Sequence, residues 1–260
     1  MIIIKVESAA ITHVGLVRNN NEDNYYINGK YKSDNSVTTE GSFDNKNRDS
    51  YLYAVCDGMG GEAHGELASL IAVSTLSKYQ ETDIQYTITD YIQEANDHIC
   101  DEIEKNAGKR CGTTLALLYI RKNMAISYNI GDSRVLFFRD GDLYQLSEDH
   151  TEAQRLVNMG VLTEEEADSH KSRNKLTQHL GIFPEELAIK PYISEKVKLK
   201  KNDILLLCSD GLTDMVSADD IANILSIRDI DIISLVKRLT EAAETHGGKD
   251  NITVVVVKIT

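Results

Sequence analysis

Residues 113–146 read TTLALLYIRKNMAISYNIGDSRVLFFRDGDLYQL, four apolar stretches separated only by turns. Met124, Ile126, Tyr128 and Ile130 alternate with small or polar residues, the pattern of a half-buried strand. Asp140-Gly141 is a two-residue hairpin signal. Strands that follow one another with nothing but turns between them are hairpins, so the sheet they build is antiparallel.

That run decides how an earlier stretch is understood. Residues 51–66, YLYAVCDGMGGEAHGE, contain Gly58-x-Gly60-x-x-Ala63, which satisfies the dinucleotide-binding fingerprint after a strand. A dinucleotide fold alternates strands with helices, and its glycine turn follows the first strand. Here hairpins dominate, and two or more strands come before the one that leads into the glycines. Asp57 also lies directly against the first glycine, where its carboxylate would repel a pyrophosphate. The glycine loop needs another explanation.

Outward from this centre, residues 10–17 and 24–27 read as short strands joined by the polar loop RNNNEDN. Residues 28–50 are polar and without period, which predicts an exposed loop or insertion. Ala68, Ile71, Ala72, Thr75, Leu76 and Tyr79 fall on one helical face. Ile88, Tyr91, Ile92, Ala95, Ile99 and Ile103 mark a second helix starting near Thr89. The segment 147–182 is helical and charged. Strands return at 191–199 and 203–208, and Ser217-x-x-Asp220 predicts a capping box. Ile232, Leu235, Val236, Leu239, Ala242 and Ala243 form a last helix stopped by Gly247-Gly248. NITVVVVKI closes the chain as a buried strand. No internal repeat or linker divides the sequence, so one domain over 1–260 is expected.

With 260 residues, 42% of them hydrophobic, the chain is long enough for a large core. Its net charge of −13 argues against nucleic acid or an anionic membrane as the main partner. No apolar run approaches the ~20 residues that span a bilayer, and MIIIKVES is too short for a signal-peptide core. Cys56, Cys100, Cys111 and Cys208 show no C-x-x-C pairing and suit buried thiols in a reducing compartment. A cytoplasmic monomer is expected. An acidic protein acting on an anion would need local positive charge, and bound divalent metal can supply it.

Acids recur where strands meet turns. CDG follows the strand at 51–56, CSDG the strand at 203–208, GGKDN precedes the last strand, GDSR separates two middle strands, and NED lies in the first loop. Asp and Asn favour turns by bonding their own backbone, which accounts for any one of these. Five in one chain, two of them straight after apolar strands, point further. Aspartates gathered from separate strand ends are how a sheet protein builds a carboxylate-rich site for hard divalent cations.

These residues carry a family resemblance. The stretches GLVRNNNEDNYYI, VCDGMGGEAHGELAS, CGTT, YNIGDSRVLFF, LYQLSEDHT, LTQHLG, LLLCSDGLTDMV and GGKDNITVVVV occur in order from residue 15 to the end. As an ordered set they resemble the metal-dependent Ser/Thr protein phosphatases of type 2C (PPM), in their compact bacterial form. The resemblance implies an α+β fold, an α-β-β-α sandwich of two central antiparallel sheets with helices on both outer faces. It implies hydrolysis of phosphoserine and phosphothreonine by a water that bridges two Mn2+ or Mg2+ ions. Phosphorylated proteins, with a Ser/Thr kinase acting on the same substrates, would be the partners.

On this resemblance Asp57 would bridge the two ions, with the Gly58 carbonyl completing one of them. Asp210 and Asp250 would hold the first ion, while Glu22 and Asp23 would lie beside the second through water. Asp132 matches an acid that helps hold a third, weaker ion with the Asp210 equivalent. Arg18 would grip the substrate phosphate through its planar fork of donors. Plainer roles stay open: Arg18 as a surface cation, and Asp132 pairing with Arg134 or capping a turn. Asn251 and Thr253 are expected to support the Asp250 turn, and Gly60, Gly61 and Gly112 to allow close backbone approach. Met59 stands where eukaryotic relatives carry a histidine that can act as general acid. His64, His150 and His179 receive no role, and 147–182 corresponds to a flap beside the active site. A non-catalytic member that only binds phosphoprotein is the rival, but Asp57, Asp210 and Asp250 are all in place.

Overall fold

Both faces of the central strands are apolar, and both are covered. In the computed structural model, which describes residues 4–34, 39–60 and 64–260, the chain opens with β1 (Val6–His13), β2 (Asn24–Ile27), β3 (Lys30–Tyr31) and β4 (Thr39–Asp44). Next come β5 (Ser50–Cys56), β6 (Gly58–Met59) and the helices α1 (Gly65–Ser77) and α2 (Ile84–Lys105). The middle run is β7 (Gly112–Thr113), β8 (Leu115–Arg121), β9 (Met124–Ile130), β10 (Arg134–Arg139) and β11 (Asp142–Gln145). Short pieces follow: α3 (Glu152–Asn158), α4 (Glu164–Asp168), β12 (Tyr192–Ile193) and β13 (Val197–Lys198). The chain ends with β14 (Ile204–Cys208), α5 (Asp210–Thr213), α6 (Ala218–Leu225), α7 (Ile232–Thr245) and β15 (Ile252–Ile259). Gly61 and Ala63 of the glycine loop lie outside the described residues.

Among the described residues the strands form two large antiparallel sheets, ordered β11-β10-β14-β15-β1-β4 and β12-β9-β8-β5-β2-β3, with β13 also on β9. Period-2 alternation explains their uninterrupted apolar sequences. In β5, Leu52, Ala54 and Cys56 face α1 and α2, while Tyr51, Tyr53 and Val55 face the other sheet. In β15, Val255, Val257 and Ile259 join that inter-sheet layer, and Ile252, Val254 and Val256 face α6 and α7. Three apolar layers thus hold an α-β-β-α sandwich, as expected.

Several local expectations need correction. The first strand is Val6–His13, because Leu16 and Val17 turn outward, 63% and 64% exposed. The run 113–146 does not stay in one sheet: β8 and β9 pair in one, and the GDSR turn carries the chain across to β10 and β11 in the other. The Asp140-Gly141 hairpin is present, both residues at positive φ. Helix α2 begins at Ile84, capped by the Asp83 carboxylate, which accepts from the Gln85 N–H. The stretch 191–199 forms only the two-residue strands β12 and β13. Ser217 accepts from the Asp220 N–H, but the short Asp220 carboxylate accepts only from the Ser217 hydroxyl; the reciprocal capping box is Thr163 with Glu166. The largest departure lies in 28–50. There β4 pairs with the free edge of β1 from Ser8↔Asp44 to His13↔Thr39, and Lys32 and Asp44 are buried. Phe43 is the one apolar residue of β4, so its strand is imposed by β1 and not by its own pattern.

Candidate active site

Antiparallel register gathers the acids. Asn24 at the start of β2 pairs with Cys56 at the end of β5, and Cys208 at the end of β14 pairs with both Val254 of β15 and Arg134 of β10. The residues just beyond those ends, Asp23, Asp57, Asp210, Asp250 and Asp132, therefore collect at one end of the sandwich. There a cleft of about 520 Å³ is lined by Glu22, Asp57, Asp132, Asp210 and Asp250, together with Gly58, Met59, Gly60 and Thr114, and with Arg18 and Lys175 as cations.

Each acid has its own support. The Asp57 N–H donates to Thr114 Oγ1 at 2.9 Å, and its carbonyl accepts from the Thr114 N–H and the Thr113 hydroxyl, both at 2.9 Å. Thr114 Oγ1 also bonds the Ser133 hydroxyl at 2.6 Å, linking the Asp57 corner to the GDSR turn. Gly58 is glycine because a Cβ would run into the carbonyls of Gly65 and Glu22. Asp23 is buried and accepts from the Ser209 hydroxyl at 2.7 Å. Asp210 opens α5, and a Cβ on the following Gly211 would collide with the Asn251 carbonyl.

Asn251 does more than support its own turn. Its Oδ1 accepts from the Glu22 N–H at 2.8 Å, and its Nδ2 donates to the carbonyls of Val14 and Asn20 at 2.9 and 2.8 Å. It fastens the loop that carries Arg18 and Glu22 to the start of β15. Thr253 holds Ser209 through its N–H and meets Thr12 through its hydroxyl. Arg18 donates to Asp250 Oδ2 at 2.8 Å. Arg134 is engaged with Asp149, at 2.6–3.2 Å, and makes no hydrogen bond to Asp132. Of the histidines, His150 Nδ1 accepts from the Gly131 N–H, and burial lowers both its basicity and that of His179.

The acids strain against one another. Burial lifts Asp57 well above the usual carboxylate range, and Asp23, Asp210, Asp132 and Asp250 lift it further. Burial also raises Asp210, reinforced by Asp132 and Asp214, and raises Asp132, reinforced by Asp149. Glu22 is pushed up to about 7 by burial and by Glu66. Among the described residues no three His, Cys, Asp or Glu side chains form a ready-made metal cage; the acids line the walls of an open cleft. Their chemistry nonetheless fits Mg2+ or Mn2+. The donors are carboxylate oxygens with a backbone carbonyl beside them, and the repulsion that lifts the carboxyl groups is what a divalent charge would relieve.

Sequence reasoning missed the Thr113–Thr114 strap and the reach of Asn251, and singled out no residue of segment 173–176 within the 147–182 stretch that the resemblance sets beside the site. Asn174, Lys175 and Leu176 line the cleft, and Asp214 holds them there by accepting from Arg173 and Asn174 at 3.0 and 2.9 Å. The four-residue interval from Asp210 to Asp214 across one helical turn was the available signal.

A sequence profile of protein phosphatase 2C matches residues 29–254. Protein phosphatase PhpP of Streptococcus pneumoniae is 34% identical over 98% of both chains. The serine/threonine phosphatase PstP of Mycobacterium tuberculosis is 33% identical over 96% of this chain and 44% of its own length. Among solved structures, the S. agalactiae serine/threonine phosphatase superposes with a TM-score of 0.83 at 31% identity, covering 98% of this chain and all of that one. The PstP catalytic domain in complex with two manganese ions gives 0.78 at 31% identity over 99% of each chain. The chain belongs to the protein phosphatase 2C family, as a serine/threonine phosphatase of its compact bacterial type.

Proposed function

We propose that the chain hydrolyses phosphoserine and phosphothreonine monoesters of proteins at a two-ion Mn2+ or Mg2+ centre. One observation carries this: acids from both sheets, Asp57, Asp210 and Asp250, meet in one cleft, where burial and the neighbouring acids raise Asp57 and Asp210. Asp57 would serve both ions and the Gly58 carbonyl one of them, Asp210 and Asp250 would hold the first, and Glu22 and Asp23 would steady the second. Asp132 stands beside Asp210 for a third, weaker ion. When bound, such ions acidify water toward neutrality and offset phosphate charge. The two manganese ions of the PstP neighbour support the metal assignment.

The chain's own residues supply the rest. Arg18, 56% exposed at the cleft mouth, is placed to exchange its bond to Asp250 for two oxygens of a phosphate. Thr114 fixes the Asp57 backbone, so that this carboxylate does not reorganise during the reaction. Phosphoproteins and a Ser/Thr kinase in the cytoplasm are the proposed setting, with the enzyme acting as a monomer and a single domain. No helix among the described residues is long and apolar enough to cross a membrane.

The test is hydrolysis of p-nitrophenyl phosphate and of a phosphothreonine peptide, with EDTA, Mg2+ and Mn2+ in parallel. Turnover should depend on added metal. Full activity after exhaustive chelation would refute the centre.

A further inference from the structure

Lys32 comes from the stretch that reads as an exposed polar loop, yet it is 0% exposed. A lysine so enclosed is rare unless charge inside the protein compensates it. Its Nζ donates to the Asn21 carbonyl at 2.7 Å. Its backbone is clamped from both sides by one side chain: the Lys32 N–H donates to Asn24 Oδ1 at 3.0 Å, and Asn24 Nδ2 donates to the Lys32 carbonyl at 2.9 Å. The direction of the lysine is therefore fixed by the first residue of β2, the neighbour of Asp23.

What Lys32 grips is the acid loop itself. Asn21 Oδ1 accepts from the Asp23 N–H at 3.1 Å, and Asn21 Nδ2 donates to Thr12 at 2.9 Å. Burial is the strongest influence on Lys32 and lowers its hold on the proton; Asp23, then Glu40, Glu66 and Glu22, oppose it by favouring the ammonium form. Asp23 is as buried as Lys32, and its side chain is met by the neutral hydroxyls of Ser209 and Thr253. Arg18, the cation on the open side, is committed to Asp250.

We propose that Lys32 is a resident countercharge, held against the Asn21–Asp23 loop by its bond to the Asn21 carbonyl, which offsets the repulsion of the acid cluster until metal is bound. The proposal rests on the two-ion reading of the site. Its physical content is a difference between two conditions. With divalent charge in the cleft the acids are already compensated and Lys32 matters less; without it, Lys32 is the cation acting on the buried Asp23, across the Asn21 carbonyl that it bonds.

The experiment uses Lys32→Met, which keeps volume and removes charge, in the full chain. Tm is measured in EDTA and in saturating Mn2+, with a Mn2+ titration by calorimetry. In EDTA the variant should lose roughly 6–12 °C. In Mn2+ the loss should be less than half of that, and Mn2+ should bind no more weakly than to the parent. Equal losses in both conditions, or weakened Mn2+ binding, would overturn the proposal, since a lysine that only fills space matters equally in both. Should Lys32→Met fail to fold in EDTA, the double variant with Asp23→Asn decides: recovered folding supports the countercharge, and no recovery overturns it. A parent protein that neither binds Mn2+ nor gains Tm from it would instead reject the two-ion reading, and the double variant in EDTA would still test Lys32 against Asp23.

Discussion

Two corners of the molecule are spelled almost alike, Cys56-Asp57-Gly58 after β5 and Cys208-Ser209-Asp210-Gly211 after β14, but they are built differently. Asp57 leaves its strand directly, and both its N–H and its carbonyl are strapped by Thr113 and Thr114. The second corner inserts Ser209, whose hydroxyl donates to Asp23 and accepts from the Thr253 N–H, and Asp210 then opens α5. In the first corner a neighbouring segment fixes the acid's backbone. In the second, the acid rides on a helical turn that also carries Asp214, the anchor of Arg173 and Asn174. Similar spelling places similar charge, while the supports decide how firmly each acid is held.

The sharpest way to break this comparison is to neutralise each acid. Asp57→Asn should lower kcat by roughly 1000-fold, since four other acids act on it from the surrounding cleft, and Asp210→Asn by about 100-fold. Steady-state rates at saturating Mn2+ decide, and equal losses would mean the corners are equivalent. The glycines test the supports. Gly211→Ala pushes against the Asn251 carbonyl at the start of β15 and should cost about 3 kcal/mol in urea unfolding. Gly58→Ala pushes against Gly65 and Glu22, at the rim of the site, and should cost about 1–2 kcal/mol while lowering activity more. Arg18→Ala touches only the second corner's partner Asp250; it should raise KM for a phosphopeptide by about 2 kcal/mol with kcat less affected, and Arg18→Lys should recover part. Weakened Mn2+ binding with unchanged KM would move Arg18 from substrate to metal support.

The smallest effect is in pH. Glu22 is raised from 4.5 to about 7, so its folded value lies above its unfolded one. Its contribution in EDTA is therefore fully present below about pH 4.5 and is lost as pH rises through about 7. Asp57 and Asp210, raised for the same reason, act in the same direction. Chelated protein should thus lose Tm as pH rises from 5 to 8, and saturating Mn2+ should flatten or reverse the trend, because ligands bind metal deprotonated. A chelated protein whose Tm rises steadily over that range would contradict it.

Much of this was legible in the residues. Helices α2 and α7 follow from three- and four-residue spacing, the β10–β11 hairpin from Asp140-Gly141, and the acid cleft from carboxylates at strand ends. The illegible parts are those that one segment imposes on another. Strand β4 exists because β1 offers an unpaired edge, so TEGSFD carries no alternation of its own. The division of β8–β11 between two sheets depends on the GDSR turn crossing layers, which local pattern does not encode. Lys32 looked solvated because composition cannot reveal that Asn24 folds it inward.

The pairing of β1 with β15, from Val6↔Ile259 to His13↔Ile252, joins segments far apart in sequence in the middle of a sheet. Its consequence is temporal. During synthesis β1 must wait for residues 252–259 before this partner exists, and contacts of such long sequence separation form late and slowly. Asp250 arrives just ahead of that segment. A chain lacking β15 therefore holds neither the β1–β15 pairing nor Asp250 in place, and the capacity to strip phosphate would come into being only as β15 docks.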